Sequence, residues 1–152
     1  MPFMKKPERV VVIGTSCAGK TTFAYRLART LDAKHIELDA LHWEPNWREE
    51  DESVFRSRVA SALEAKSWVV DGNYTHKVKD LAWSKADTVI WLDPPLPTIL
   101  YRFLLRSLTR SIKGELLWGH SRETLKNSIF SRNSLLMWIL TTHRKKAESY
   151  VD

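Results

Sequence analysis

The stretch GTSCAGKTT, residues 14–22, combines the residue types that bind phosphate groups with the spacing that this chemistry needs. Two glycines enclose four small residues, so the backbone can curl and point successive N–H groups at phosphate oxygens. Lys20 can reach the β- and γ-phosphates, and the Thr21 hydroxyl can bind Mg²⁺. We interpret Cys17 as a small filler rather than a redox switch. The predicted nucleotide-binding residues are Gly14, Thr15, Ser16, Cys17, Ala18, Gly19, Lys20, Thr21 and Thr22.

The segments around this stretch have the order that a phosphate-binding loop requires. The β-branched run at 9–14 predicts a buried strand before it, and apolar residues at helical spacing predict a helix at 20–31 after it. Further strands are predicted at 34–39, 67–72 and 87–93, and further helices at 49–66, about 97–113 and about 122–146. Strands that alternate with helices indicate an α/β fold with a parallel sheet.

Acidic residues stand at the ends of the predicted strands, where open α/β sheets bind their ligands. Asp71 ends the third strand and is predicted to hold Mg²⁺ together with Thr21, with a simple turn or cap residue as the alternative. Asp39 is predicted to face a second substrate and to accept a proton from its hydroxyl group. The alternative for Asp39 is an N-cap of a short helix at Ala40. Trp43 and Trp47 stack on a flat acceptor or, more often in proteins, cover a loop.

Arginines recur at every fourth position of the predicted helix at 97–113. Arg102, Arg106 and Arg110 therefore share one helix face, and Arg122 follows a connection that contains two glycines. Phosphoryl transfer needs cations that close over the transferring group, so residues 106–124 are predicted to form a lid, with Arg106, Arg110 and Arg122 as catalytic residues. A solvated basic face is the alternative.

Composition sets limits on the class of protein. The 152 residues are 43% hydrophobic and 28% charged, which is typical of one globular domain, here 1–152. The single cysteine and the lack of an apolar run long enough to span a bilayer predict a cytoplasmic protein without membrane contact. The net charge of +6 attracts anions, either a nucleoside triphosphate or nucleic acid.

The segments VIGTSCAGKTT, LDALHWEPNW, WVVDGNY and VIWLDPP, followed by the arginine-rich helix, resemble the adenylate-kinase-related P-loop proteins of the topology modulation (FlaR-type) family. The similarity runs from about Arg9 to about Lys146. It implies the three-layer P-loop fold of the nucleoside and nucleotide kinases, with strand order 2-3-1-4-5, ATP and Mg²⁺ in the loop, and an acceptor pocket near Asp39 and residues 71–74. The family is named for an effect on DNA topology, and this name does not identify the acceptor of the phosphoryl group.

One departure from that family concerns the fifth strand. No apolar β-branched run follows Lys146, so the expected order is 2-3-1-4 without a fifth strand. The edge of the fourth strand is then either exposed or covered by a second copy of the chain in a homodimer.

The sequence therefore favours an ATP- and Mg²⁺-dependent kinase with a small, hydroxyl-bearing or nucleotide-like acceptor. A nucleotide-gated nucleic-acid-binding protein is the alternative, since tryptophans and a basic helix can also serve a nucleic-acid groove. Simple hydrolysis is less favoured, because Gly72 follows Asp71 where motor ATPases have a catalytic glutamate.

Overall fold

The computed structural model describes residues 6–113, 116–117, 121–122 and 136–142. Its elements in chain order are β1 (Arg9–Gly14), α1 (Lys20–Leu31), β2 (Lys34–Glu37), α2 (Leu38–His42), β3 (Trp43–Glu44), a 3-10 turn (Pro45–Trp47), β4 (Arg48–Glu49), α3 (Glu52–Ala62), β5 (Trp68–Asp71), α4 (Thr75–Ala82), a second 3-10 turn (Trp83–Lys85), β6 (Thr88–Leu92), α5 (Leu96–Lys113), β7 (Leu116–Leu117) and β8 (Ser121–Arg122). Residues 136–142 are also helical.

The main sheet has the order β2-β5-β1-β6, which confirms the predicted order 2-3-1-4 and the α/β fold class. β5 lies between β1 and β2 and runs parallel to both. In this register Asp71 pairs with Val12 of β1 and with Glu37 of β2. Parallel strands buried on both faces need continuous apolar runs, and β1 supplies one from Val10 to Ile13.

The chain divides into two compact units. The first comprises Met1–Ile13, Gly19–Trp43 and Glu49–Trp91. Its core is apolar side chains of β1, β5 and the helices α1, α3 and α4: Val10, Val12, Ala24, Ala28, Phe55, Val59, Trp68, Val69, Val70 and Val78.

The second unit comprises Gly14–Ala18, Glu44–Arg48 and Leu92–Asp152. Its described core is Ile99 and Phe103 of α5 with Ile139, and Cys17 packs against this cluster. The packing of Cys17 against apolar side chains favours its interpretation as a small filler residue.

Several predicted boundaries are wrong. The second strand ends at Glu37 rather than Asp39, because residues 38–42 continue as the short helix α2. The predicted helix from Arg122 is wrong at its start, since Arg122 pairs with Leu116 in an antiparallel ladder and cannot also form a helical first turn. The rest of that prediction, except 136–142, lies outside the described residues, as do the residues after Lys146, where a fifth strand was not expected.

Two helices differ from what the sequence predicted. α4 was not predicted, because only Val78 and Ala82 of its eight residues supply a buried stripe. In α1, the apolar Phe23 is exposed, whereas Ala24 and Ala28 are the buried residues. Small alanines let the helix lie close to the sheet. Within the described ranges, no helix is both long and apolar enough to cross a membrane.

Candidate functional site

The segment between β1 and α1 leaves the strand through Gly14, whose φ of 149° lies in the region that favours glycine. A Cβ at this position would lie 2.4 Å from the carbonyl oxygen of Leu92, so no larger residue fits without a shift of the backbone. Farther along, the N–H of Ala18 donates to the carbonyl oxygen of Thr15 at 3.1 Å, which closes a tight turn. The loop therefore has a curled backbone, as the motif predicts.

The start of α1 offers backbone donors. Its N-cap is Gly19, which has no side chain to cap the helix, and the first intrahelical bond runs from the N–H of Phe23 to the carbonyl oxygen of Gly19 at 3.0 Å. The N–H groups of the preceding residues fall outside the helical hydrogen-bond ladder. Together with the positive end of the helix dipole, they make this terminus suitable for an anion. Lys20 is the first residue of the helix and is half-buried.

Thr21 and Asp71 meet at the start of α1. The Thr21 hydroxyl lies 3.5 Å from Oδ1 of Asp71, and Asp71 is only 1% exposed. A buried carboxylate is costly unless partners stabilise it. A hydroxyl and a carboxylate are oxygen ligands of the kind that Mg²⁺ prefers, and Mg²⁺ usually takes only one or two carboxylates and completes its shell with water and phosphate. The pair therefore fits the predicted magnesium site.

A larger protein cage for a metal is absent from the described part of the chain, where no group of three or more histidine, cysteine or acidic side chains comes together.

Asp39 occupies the first turn of α2, not a strand end. The N-cap of α2 is Glu37, so the alternative interpretation of Asp39 as an N-cap is also wrong. The half-buried Asp39 carboxylate instead accepts a hydrogen bond from the Tyr74 hydroxyl, 2.7 Å from Oδ1. Burial first, and then the charge of Asp39 and this hydrogen bond, raise the pKa of Tyr74 well above its usual range, so the phenol remains protonated.

Aromatic side chains pack around this hydrogen bond. The buried His42 ring lies 4.4 Å from the Tyr74 ring and 4.9 Å from the Trp43 ring, centroid to centroid. Phe55 contacts both His42 and Tyr74. Desolvation, and then the charge of Lys77, lower the pKa of His42, so its imidazole is neutral near pH 7. Since Trp43 packs edge-on against His42, the structure favours the covering role over free stacking for this tryptophan.

Gly72, directly after Asp71, lies against Leu38 of α2. Its φ is 137°, and a Cβ there would lie 2.7 Å from the Cβ of Leu38. Because glycine has no side chain, the chain after β5 can lie directly against Leu38, the residue that immediately precedes Asp39. The close approach at Gly72 is thus made by the protein's own α2.

The arginine stripe of α5 is not a fully solvated face. Arg102 is exposed but donates to the carbonyl oxygen of Ala18 in the loop at 2.9 Å. Arg106 and Arg110 are half-buried. Among the described residues, the buried Nε of Arg106 has no hydrogen-bond partner. The backbone of Arg122 lies in β8.

Sequence reasoning missed one close partner of the site. His35 donates from Nε2 to Oδ2 of Asp71 at 3.0 Å. Its alternation with Ile36 in β2 showed which face it takes, but only the register between β2 and β5 brings it to Asp71.

Comparisons with known proteins leave the family open. No protein-family model matches the chain, and no curated protein matches it. Among solved structures, the unliganded crystal structure of a sugar kinase from Janibacter sp. HTCC2649 is similar, with 21% sequence identity and a TM-score of 0.49. The likeness covers 89% of this chain and 76% of that chain. A similarity at this level identifies neither a family nor a substrate.

Proposed function

We propose that this chain is a phosphotransferase that binds ATP with Mg²⁺ at residues 14–22 and transfers the γ-phosphoryl group to a small, hydroxyl-bearing acceptor. The observation that carries the proposal is the approach of the Thr21 hydroxyl to the buried carboxylate of Asp71 at 3.5 Å. In a phosphate-binding loop these are the two positions from which the protein would hold Mg²⁺. The metal, when bound, supplies positive charge to the phosphate oxygens.

The nucleotide side of the site rests on backbone and charge. The N–H groups at the start of α1 and the Lys20 ammonium bind phosphate oxygens and orient the γ-phosphate. Arg106, Arg110 and Arg122 are proposed to add charge over the transferring group. Support comes from the four-residue spacing of Arg106 and Arg110 on α5 and from the contact of Arg102, one turn earlier, with the loop residue Ala18.

The acceptor side rests on Asp39. β2 and β5 are adjacent and parallel, and Asp71 pairs with Glu37, so Asp39 follows only two residues beyond the position opposite Asp71. In the proposed reaction the acceptor oxygen forms a bond to the γ-phosphorus while the bond from that phosphorus to the bridging oxygen of ADP breaks. The acceptor's hydroxyl proton passes to the Asp39 carboxylate.

Charge around Asp39 favours an acceptor without a phosphate group. Tyr74 donates to Oδ1 and leaves Oδ2 to accept from an incoming hydroxyl group. Lys77, the nearby cation, pairs with Glu49 at 3.3 Å and so has its charge largely balanced. A phosphorylated acceptor would be repelled by the negative charge of Asp39. We therefore expect a neutral polyol, sugar or nucleoside rather than a nucleoside monophosphate.

ATP consumption with Mg²⁺ tests the proposal, measured alone and with a panel of sugars, polyols, nucleosides and nucleoside monophosphates. Stimulation by one neutral hydroxyl compound, abolished in both Lys20→Ala and Asp39→Asn, is expected. Matched controls are Lys66→Ala and Asp32→Asn, which change exposed residues of the same types and should leave turnover unchanged. ATP consumption that no acceptor stimulates would contradict the proposal.

A further inference from the structure

The contact between His35 and Asp71 lies next to the start of α1, where Thr21 also approaches Asp71. Asp71 presents two carboxylate oxygens, of which Oδ1 faces the Thr21 hydroxyl at 3.5 Å and Oδ2 faces His35 Nε2 at 3.0 Å. The side chain of His35 is 20% exposed and that of Asp71 is 1% exposed. Solvent water therefore has little access to the carboxylate, and these two side chains largely decide how it is oriented.

The register of the sheet explains why His35 reaches Asp71. His35 pairs with Val69 and Glu37 pairs with Asp71, so His35 is a diagonal neighbour of Asp71 on the same face of two parallel strands. The imidazole extends forward along β2 and donates to the oxygen that is turned toward that strand. The other oxygen is left on the side of α1.

α1 supports both halves of this arrangement. Thr21 and Tyr25 are four residues apart and so share a face of the helix. Thr21 meets Asp71, and the edge of the Tyr25 ring meets His35 with centroids 6.1 Å apart and planes at 71°. Arg29, one turn later, lies over the Tyr25 ring at 5.9 Å. The imidazole is thus held between a helix face and the carboxylate.

We propose that His35 is a positioning residue that holds the Asp71 carboxylate with Oδ1 directed toward Thr21. In this orientation Oδ1 of Asp71 and the hydroxyl oxygen of Thr21 can ligate one divalent cation. The inference rests on the proposed function, because the cation is the one that accompanies the nucleotide. His35 itself does not ligate the metal. Partners that orient a metal ligand in this way typically change metal affinity about 10- to 100-fold when they are removed.

The test measures metal affinity rather than turnover. Mn²⁺ is titrated into the protein saturated with a non-hydrolysable ATP analogue, and its binding is followed by electron paramagnetic resonance. His35→Leu is expected to weaken Mn²⁺ binding about tenfold or more. His35→Gln keeps an N–H donor and should restore most of the affinity. His76→Leu, at an exposed histidine of the same unit, should leave it unchanged.

The outcomes separate the two proposals. Wild-type affinity for Mn²⁺ in His35→Leu, with nucleotide still bound, would overturn the positioning role alone. Equal losses in His35→Leu and His35→Gln would overturn it as well, because the N–H donor would then be irrelevant. If the wild-type protein binds no metal–nucleotide complex, the proposed function fails and this inference fails with it. Should His35→Leu not fold, His35→Asn, whose shorter side chain withdraws the donor from Asp71, replaces it in the same titration.

Discussion

The hydrogen bond from Tyr74 to Asp39 allows a quantitative prediction. The donor oxygen lies 2.7 Å from Oδ1 of Asp39, and Tyr74→Phe removes only this hydroxyl. A hydrogen bond to a charged group stabilises a protein by about 1.5–3 kcal/mol. Because Asp39 is half-buried, water can partly replace the phenol. We therefore expect Tyr74→Phe to lower the free energy of unfolding by about 1.5 kcal/mol at neutral pH, the lower end of that range.

A double-mutant cycle isolates the pair. Urea unfolding of the wild type, Tyr74→Phe, Asp39→Ala and the double variant gives the coupling energy between the two side chains, expected at about 1–1.5 kcal/mol. Independent sites add within about 0.3–0.5 kcal/mol. Additivity within that error would refute the hydrogen bond as a stabilising contact.

Alkaline pH gives a second view of the same contact. The pKa of Tyr74 is raised by burial and by Asp39, so the folded state keeps its phenolic proton at pH values where the unfolded state releases it. The contribution of Tyr74 to the free energy of unfolding is fully present below the pKa of tyrosine in the unfolded state, near 10. Above that pH it falls by about 1.4 kcal/mol per pH unit. The higher free energy of unfolding of the wild type relative to Tyr74→Phe should therefore vanish at about pH 11. Parallel alkaline profiles of the two proteins would count against a desolvated Tyr74.

Three further predictions concern other parts of the structure. Gly72→Ala forces a Cβ against Leu38 at a φ of 137° and should lower the free energy of unfolding by about 1–3 kcal/mol in urea; an unchanged midpoint would show that α2 shifts freely. The pKa of His42 is lowered, so below about pH 6.5 the unfolded state takes up a proton that native His42 does not, and the free energy of unfolding falls by about 1.4 kcal/mol per pH unit. His42→Phe should remove this acid sensitivity. Thermal melts from pH 7 to pH 5 that still match the wild type would contradict this. Arg106→Ala should reduce kcat about 100-fold with little change in ATP affinity, whereas Lys113→Ala on the same helix should not; equal effects in steady-state kinetics would argue against a specific role for Arg106.

The two central strands of the sheet, β1 and β5, could be predicted from the sequence because they contain short apolar runs with clear ends. Val10–Ile13 and Trp68–Val70 are buried on both faces, and only such runs read as continuous. The curled backbone of the segment after β1 could also be predicted, since Gly14 and Gly19 act through local backbone geometry. Both predictions depend on residues that are close in sequence.

The rest of the site depends on contacts between distant residues. Tyr74 meets Asp39 and His35 meets Asp71 across about 35 residues of sequence in each case, and no periodicity reports such a pairing. The start of α2 was missed because Leu38 is buried like a strand residue, so the alternation of β2 continues into Asp39. The general location of Asp39 near the carboxyl end of β2 was predicted; its hydrogen-bond partner was not.

If residues 14–22 bind the phosphates of ATP as proposed, the affinity for MgATP depends on Lys20. Isothermal titration calorimetry of MgATP is carried out on the wild type, Lys20→Ala and the control Lys66→Ala. Binding with one site in the wild type and in Lys66→Ala, and its loss in Lys20→Ala, is the predicted result. Unchanged MgATP affinity in Lys20→Ala would contradict the account, because the loop would then not be what holds the nucleotide.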